Sequence, residues 1–257
     1  MHSSVRFVRR RPVASRFPTL RSISPAPHPT IGPALVGLAA SLVLALSGVD
    51  LHIADRVIAL QGGHWSLAQN PILELGLHQL GKKASAAAWI AVLAFFAYTC
   101  ARPRIKHWRR PLGYLAVSVL AATVAVSLAK KFSGVDCPWD LARYGGSEPY
   151  TGLLQAIATL KPRGGCFPAG HASAGYAWVA LYFFFGATLP RFRWAGLATG
   201  VLAGLAFGIA QQFRGAHFAS HDVMTFAICW LVAWVAFRVA GLPWLPASPS
   251  KALGASA

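Results

Sequence analysis

An all-α fold, a six-transmembrane-helix bundle with short interfacial helices on its outward face, is predicted by three observations. Hydrophobic residues make up 55% of the chain and charged residues only 12%, against about 25% charged in a soluble domain. The apolar residues fall into six runs close to the roughly 20 residues that a bilayer-crossing helix needs. Between those runs, the basic residues gather on one side and the acids on the other.

Each element follows in order. Residues 1–30 hold six arginines, five prolines and no acid. A transit peptide can share that composition, but the segment reads better as a disordered basic cytoplasmic tail that orients the first helix. Residues 31–49 form the first span. In residues 50–83, Ile53, Val57 and Leu60 keep helical spacing before a Gln61-Gly62-Gly63 break. That pattern predicts one or two short interfacial helices. The remaining spans are expected at 84–101, 111–129, 172–190, 194–213 and 223–240. Only the last holds a formal charge, Arg238, near an end where it can snorkel to the interface. Residues 241–257, rich in proline and small side chains, read as a second disordered tail. The chain thus divides into a tail (1–30), a first helix with its interfacial segment (31–83), a transmembrane core (84–240) and a tail (241–257).

Charge sets the sidedness. With the N-terminus inside, residues 1–30, 102–110, 191–193 and 238–257 are cytoplasmic and hold fifteen of the 24 Lys and Arg, and none of the seven acids. Asp50, Asp55, Glu74, Asp136, Asp140, Glu148 and Asp222 all fall outside. This positive-inside bias puts both termini in the cytoplasm of a multi-pass protein of a bacterial inner (cytoplasmic) membrane. Trp65, Trp108 and Trp194 fall near the expected interfaces. The net charge of +17 follows from topology and implies no nucleic-acid partner, since no folded readout module accompanies it.

Cys100 and Cys229 lie within spans and are expected to be inert packing residues. Cys137 and Cys166 share the long outward loop, where an oxidising periplasm would join them. Two free thiols is the other reading.

Three polar clusters sit at the ends of spans, all outward, where polar side chains are costly unless used. The first, 130–143, includes Lys130, Cys137, Pro138 and Arg143. The second, Pro168-Ala169-Gly170-His171, describes a turn into a helix N-terminus, whose free N–H groups suit an anion. The third, 211–222, carries Gln211, Arg214, His217, His221 and Asp222. Histidines beside Lys and Arg around an anion-binding turn suit phosphoryl transfer, in which one imidazole attacks and another protonates the leaving oxygen. His217 and His221, with His171, also have the spacing of metal ligands. No HExxH pattern is present and the neighbouring cations would repel a metal ion, so the expected site holds no metal and no cofactor.

Together the clusters resemble the type-2 phosphatidic acid phosphatase superfamily, which also includes bacterial acid phosphatases and vanadium haloperoxidases. Its motifs are K-x6-R-P, P-S-G-H and S-R-x5-H-x3-D, and the resemblance covers roughly residues 84–240. Lys130, Pro138, Gly170, His171 and His217 fit. Cys137 stands where arginine is expected, Ala169 replaces serine, Gln211 takes the second arginine's place, and His221 takes the aspartate's. Arg143 and Arg214 are positioned to compensate for the two arginines, and Asp222 or His221 for the aspartate.

The resemblance implies a metal-independent lipid-phosphate phosphatase, acting on a monoester or diphosphate at the periplasmic face. Lys130, Arg143, Arg214 and the Gly170 N–H would hold phosphate. His217 would form a phosphohistidine, with His221 or Asp222 orienting its ring, and His171 would protonate the leaving group. Its partners are then the bilayer and the lipid phosphate. A lipid-to-lipid phosphotransferase using the same site, and a non-catalytic phosphate-lipid binder or transporter, are the alternatives. Haloperoxidases share the anion pocket but are soluble, which six spans argue against.

Overall fold

The computed structural model describes residues 28–159 and 165–245, so most of both expected tails lies outside the described residues. Among the described residues the fold is all-helical, with only an isolated bridge between Leu141 and Glu148.

Four helical stretches are long and apolar enough to cross a membrane: Gly81–Ala101, Pro103–Lys131, Pro190–Phe213 and Ala219–Ala240. A fifth arises if α1 (Gly32–Leu46) and α2 (Val49–Ala59) count as one span, although they bend by 71°. The bend has a local cause. Gly48 adopts φ +79°, a left-handed conformation that glycine takes without penalty and that stops a helix. The first expected span is therefore shorter than its apolar run, and α2 turns away carrying Asp50. Beyond it, a π-helical stretch (Ile72–Leu80) leads into α3 (Gly81–Ala101).

A short 3-10 turn (Pro103–Trp108) connects α3 to α4 (Arg109–Lys131). The two helices are pinned by Trp89, whose Nε1 donates to Ala116 O at 2.9 Å. Hardly any of the apolar window of α3 is buried within the protein, which suits a helix solvated by lipid. The loop after α4 holds two 3-10 turns and α5 (Leu153–Thr159).

The expected span at 172–190 is broken. It runs as α6 (Ser173–Tyr176), a 3-10 turn (Ala177–Val179) and α7 (Ala180–Thr188). This interrupted helix is the most enclosed part of the molecule, with Val179, Ala180 and Phe183 fully buried. It packs on α8 (Arg193–Phe213) through glycines at 196, 200 and 204, part of a row at one per turn that ends in Gly208 against α9, all four of them buried. A Cβ at Gly200 would stand 2.4 Å from the Val179 amide nitrogen. Only hydrogen there lets the two backbones meet, the small-residue contact that drives helix association in lipid.

The last helix, α9 (Ala219–Ala240), occupies the centre and packs chiefly on α1 and α4. Its start is fixed by side chains from the beginning of the chain. Ser220 N donates to Asp50 Oδ1 at 3.0 Å, the Ser220 hydroxyl donates to Asp50 Oδ2, and Ser41 Oγ donates to Ser220 O at 2.8 Å. A carboxylate at a helix N-terminus satisfies open N–H groups and complements the dipole. Asp50 thereby anchors the turn that carries His221.

Candidate active site

The three polar clusters converge on one end of this bundle, tied by backbone hydrogen bonds. Trp139 N donates to Gly215 O at 2.9 Å, joining the first cluster to the third. Cys166 N donates to Val135 O at 2.9 Å, and a disulfide links Cys137 to Cys166 with Cα atoms 5.2 Å apart. The second cluster hangs on the first turn of α9. Ala169 N donates to His221 O at 3.2 Å, and Thr225 Oγ1 donates to Ala169 O at 3.1 Å. Because Ala169 is completely buried in this contact, the residue in the family's serine position packs against α9.

Lys130 comes from the last turn of α4, where a cation also meets the negative end of the helix dipole. Its side chain lies along Gly170: a Cβ there would be 3.5 Å from Lys130 Cδ and 3.8 Å from Nζ. Ser173 Oγ closes the turn by donating to Gly170 O at 2.6 Å.

The three imidazoles form a chain. The His217 ring lies 5.8 Å from that of His171 and 5.7 Å from that of His221, centroid to centroid. His217 Nδ1 and His221 Nδ1 are 3.4 Å apart, so one donates to the other. Phe167 and Phe218 hold the His221 ring edge-on at 5.3 and 5.4 Å. His217 is itself buried, and its Nε2 has no hydrogen-bond partner among the described residues. Burial drives the His217 pKa well below its ordinary value, and the neighbouring His221, Lys130 and His171 push the same way. The ring is therefore neutral at physiological pH, with one nitrogen free to act as a nucleophile.

The remaining expected residues take different partners. Asp222 points to α8, accepting a hydrogen bond from Gln212 Nε2, with its carboxylate against Gly208. Arg214 is buried beneath the interfacial segment. Its Nε donates to Ala68 O at 2.8 Å and Nη1 to Gln211 Oε1 at 3.3 Å, and Nη2 lies 3.5 Å from Glu74 Oε2. Arg143 forks onto Asp55, with Nε and Nη2 at 2.9 and 2.7 Å from its two oxygens. Among the described residues, the one grouping of three potential metal ligands is Cys137, Asp140 and Cys166, whose two sulfurs are already joined to each other.

Sequence reasoning missed two residues here: Asp50, which anchors the start of α9, and Lys82, at the start of α3 beside Gly170. Asp50 gave a signal, as an acid at the end of an apolar run. Lys82 gave none that tied it to Lys130, because only the pairing of α3 with α4 brings them together.

Residues 111–243 match the family model described as the PAP2 superfamily. No curated protein and no solved structure is detectably similar to the chain.

Proposed function

The chain belongs to the PAP2 superfamily, and we propose that it is a membrane lipid-phosphate phosphatase working through a phosphohistidine on His217. One observation carries this reading. His217 is buried and engaged at Nδ1 by His221, while its Nε2 is left without a partner in a setting of Lys130 and His171. In the tautomer that suits attack, His217 Nδ1–H donates to His221 Nδ1 and Nε2 keeps its lone pair. His221 then does the work of the family's aspartate, holding the ring as the third member of a catalytic triad does.

The chemistry follows from that arrangement. Nε2 bonds to phosphorus and the bond to the leaving oxygen breaks, its electron pair going to that oxygen. His171 supplies the proton. Water then attacks the phosphohistidine, giving up a proton to His171 and releasing inorganic phosphate. Lys130 and the Gly170 N–H hold the phosphoryl oxygens, where stabilisation of charge is the main task. Arg214 has N–H groups left over for the same purpose. Arg143 contributes from a distance, through its hold on Asp55.

The membrane context completes the proposal. We take the bent α1–α2 pair as one span and the broken helix 173–188 as another, which with the four long stretches gives six. Both termini are cytoplasmic and the site opens to the periplasm of a bacterial inner membrane, as the charge asymmetry supports. The substrate is a phosphorylated lipid presented from the outer leaflet, and no metal takes part.

The test is phosphate release by the purified, detergent-solubilised protein from lipid monophosphates and diphosphates, with EDTA present. Release that survives EDTA and disappears in both His171→Ala and His217→Ala is expected. Loss with EDTA would overturn metal independence. No release from any lipid, but transfer to an added acceptor lipid, would make the protein a phosphotransferase, and neither would leave a binder or transporter.

A further inference from the structure

A second lysine approaches the site from α3, outside the segment that matches the family. Lys82 is the second residue of that helix, one turn before Ser85. Ser85 fixes its placement. Ser85 Oγ donates to Ala174 O at 2.8 Å and accepts from Trp178 Nε1 at 2.8 Å. The start of α3 is thus stapled to the helix that begins just after His171.

Lys82 and Gly170 line the same cavity, of about 260 Å³, and Gly170 is the residue along which Lys130 lies. Two lysines, Lys82 from α3 and Lys130 from α4, are thereby set about Gly170. Neither has a carboxylate partner among the described residues. Like charges set side by side without a counter-ion are unfavourable, and an anion between them removes the penalty.

The rest of the cavity says what kind of anion. Beyond Lys82, Gly170 and the hydroxyls of Ser85, Thr123 and Ser173, its walls include Trp89, Val119 and Leu120, and Leu120 is 48% exposed. A cavity that is cationic at one end and apolar at the other fits a head group attached to a hydrocarbon chain. Lys82 itself lines the cavity that would take the hydrocarbon chain, so it meets the part of the head group nearest that chain. In a monophosphate that part is an uncharged ester oxygen. In a diphosphate it is a charged phosphate.

Resting on the phosphatase reading, we propose that Lys82 binds the lipid-linked phosphate of a lipid diphosphate and makes the enzyme prefer diphosphates to monophosphates. In the first step His217 Nε2 bonds to the terminal phosphorus, and the bond from that phosphorus to the bridging oxygen breaks. The electron pair goes to the departing lipid monophosphate, whose growing charge Lys82 offsets. Water then releases the terminal phosphate from His217. The sum is lipid diphosphate and water giving lipid monophosphate and inorganic phosphate.

The test compares kcat/KM for farnesyl diphosphate and farnesyl monophosphate in the detergent-solubilised wild type, Lys82→Gln and Lys82→Arg, with thermal unfolding of each. Lys82→Gln should lower kcat/KM for the diphosphate roughly tenfold or more, the scale of a lost charged hydrogen bond. The monophosphate should change by no more than about twofold, and Lys82→Arg should recover most of the loss because it keeps the charge. An equal fall on both substrates, or no fall on either, would overturn the role of Lys82 while leaving the phosphatase reading intact. Failure of the wild type to release phosphate from both would overturn the phosphatase reading, and the role of Lys82 with it.

Discussion

His221 Nδ1 lies 3.4 Å from His217 Nδ1, an imidazole placed where relatives of this chain would set a carboxylate. A neutral ring can orient its neighbour and accept its proton, but it cannot match the pull of a negative charge on an imidazolium. His217→Ala should therefore reduce kcat by about 10³-fold or more while the protein still folds. His221→Ala should cost less, and His221→Asp should retain activity by restoring a carboxylate partner. Single-turnover phosphate release reads all three. An inactive His221→Asp alongside an active His221→Ala would remove the orienting role.

The pH profile has a defined sign. His217 in the fold is held well below the 6.5 of a free imidazole, chiefly by burial. It stays neutral as the solution is acidified through that value, so its protonation should produce no acid limb in kcat/KM between about pH 7.5 and 6. The unfolded chain binds a proton at this residue near pH 6.5 and the folded chain does not. Stability contributed by the group is thus present above about 6.5 and declines as pH falls below it. Thermal unfolding in detergent across that window checks the second statement. A midpoint that rises on acidification would contradict it.

The two arginines separate cleanly. Arg214 is buried at the turn into α9, whereas Arg143 is exposed and forked onto Asp55. Arg214→Ala should lower kcat/KM about tenfold or more, since on the proposed mechanism it removes a charged hydrogen bond to the phosphoryl group. Arg143→Ala should change it less than about threefold, as exposed ion pairs contribute little. The reverse ranking would put Arg143 on the phosphate.

The Cys137–Cys166 disulfide closes the loop that joins the first two clusters. Both thiols should resist alkylation until a reductant is added. Reduction should lower stability by about 3 kcal/mol on loop-entropy grounds and depress turnover, because Cys166 N and the Pro168 turn share that loop. Full activity in reduced protein would show that backbone hydrogen bonds suffice to hold the site.

Gly200 meets backbone, not side chain, across the contact between α8 and the broken helix. Gly200→Ala should destabilise by about 1–3 kcal/mol, the usual range for an overpacked contact, read as a lower unfolding midpoint in detergent. An unchanged midpoint would mean that α8 can move outward freely.

Much of this was legible in the chain, and the failures have physical reasons. The apolar runs and the charge asymmetry identified membrane helices, because lipid demands both over whole segments. The bend at Gly48 and the break at 177–179 were hidden, since a run of apolar residues reads the same whether straight or interrupted. The glycines at 196, 200, 204 and 208 were in plain view at a spacing of four, yet they look like ordinary apolar residues until the partner backbone is known. The choice between His221 and Asp222 could not be made from sequence. Adjacent helical positions point about 100° apart, and only the packing of α9 shows that His221 turns to His217 and Asp222 to Gln212.

The clamp of Asp50 and Ser41 on Ser220 also bears on biogenesis. α1 and α2 are made before α9, so the turn that carries His221 finds its anchor only after every helix between them has been made. A nascent protein halted after α8 holds Lys130 and His171 but neither His217 nor His221. On the proposed mechanism such an intermediate has no nucleophile, so the clamp and the chemistry are completed together.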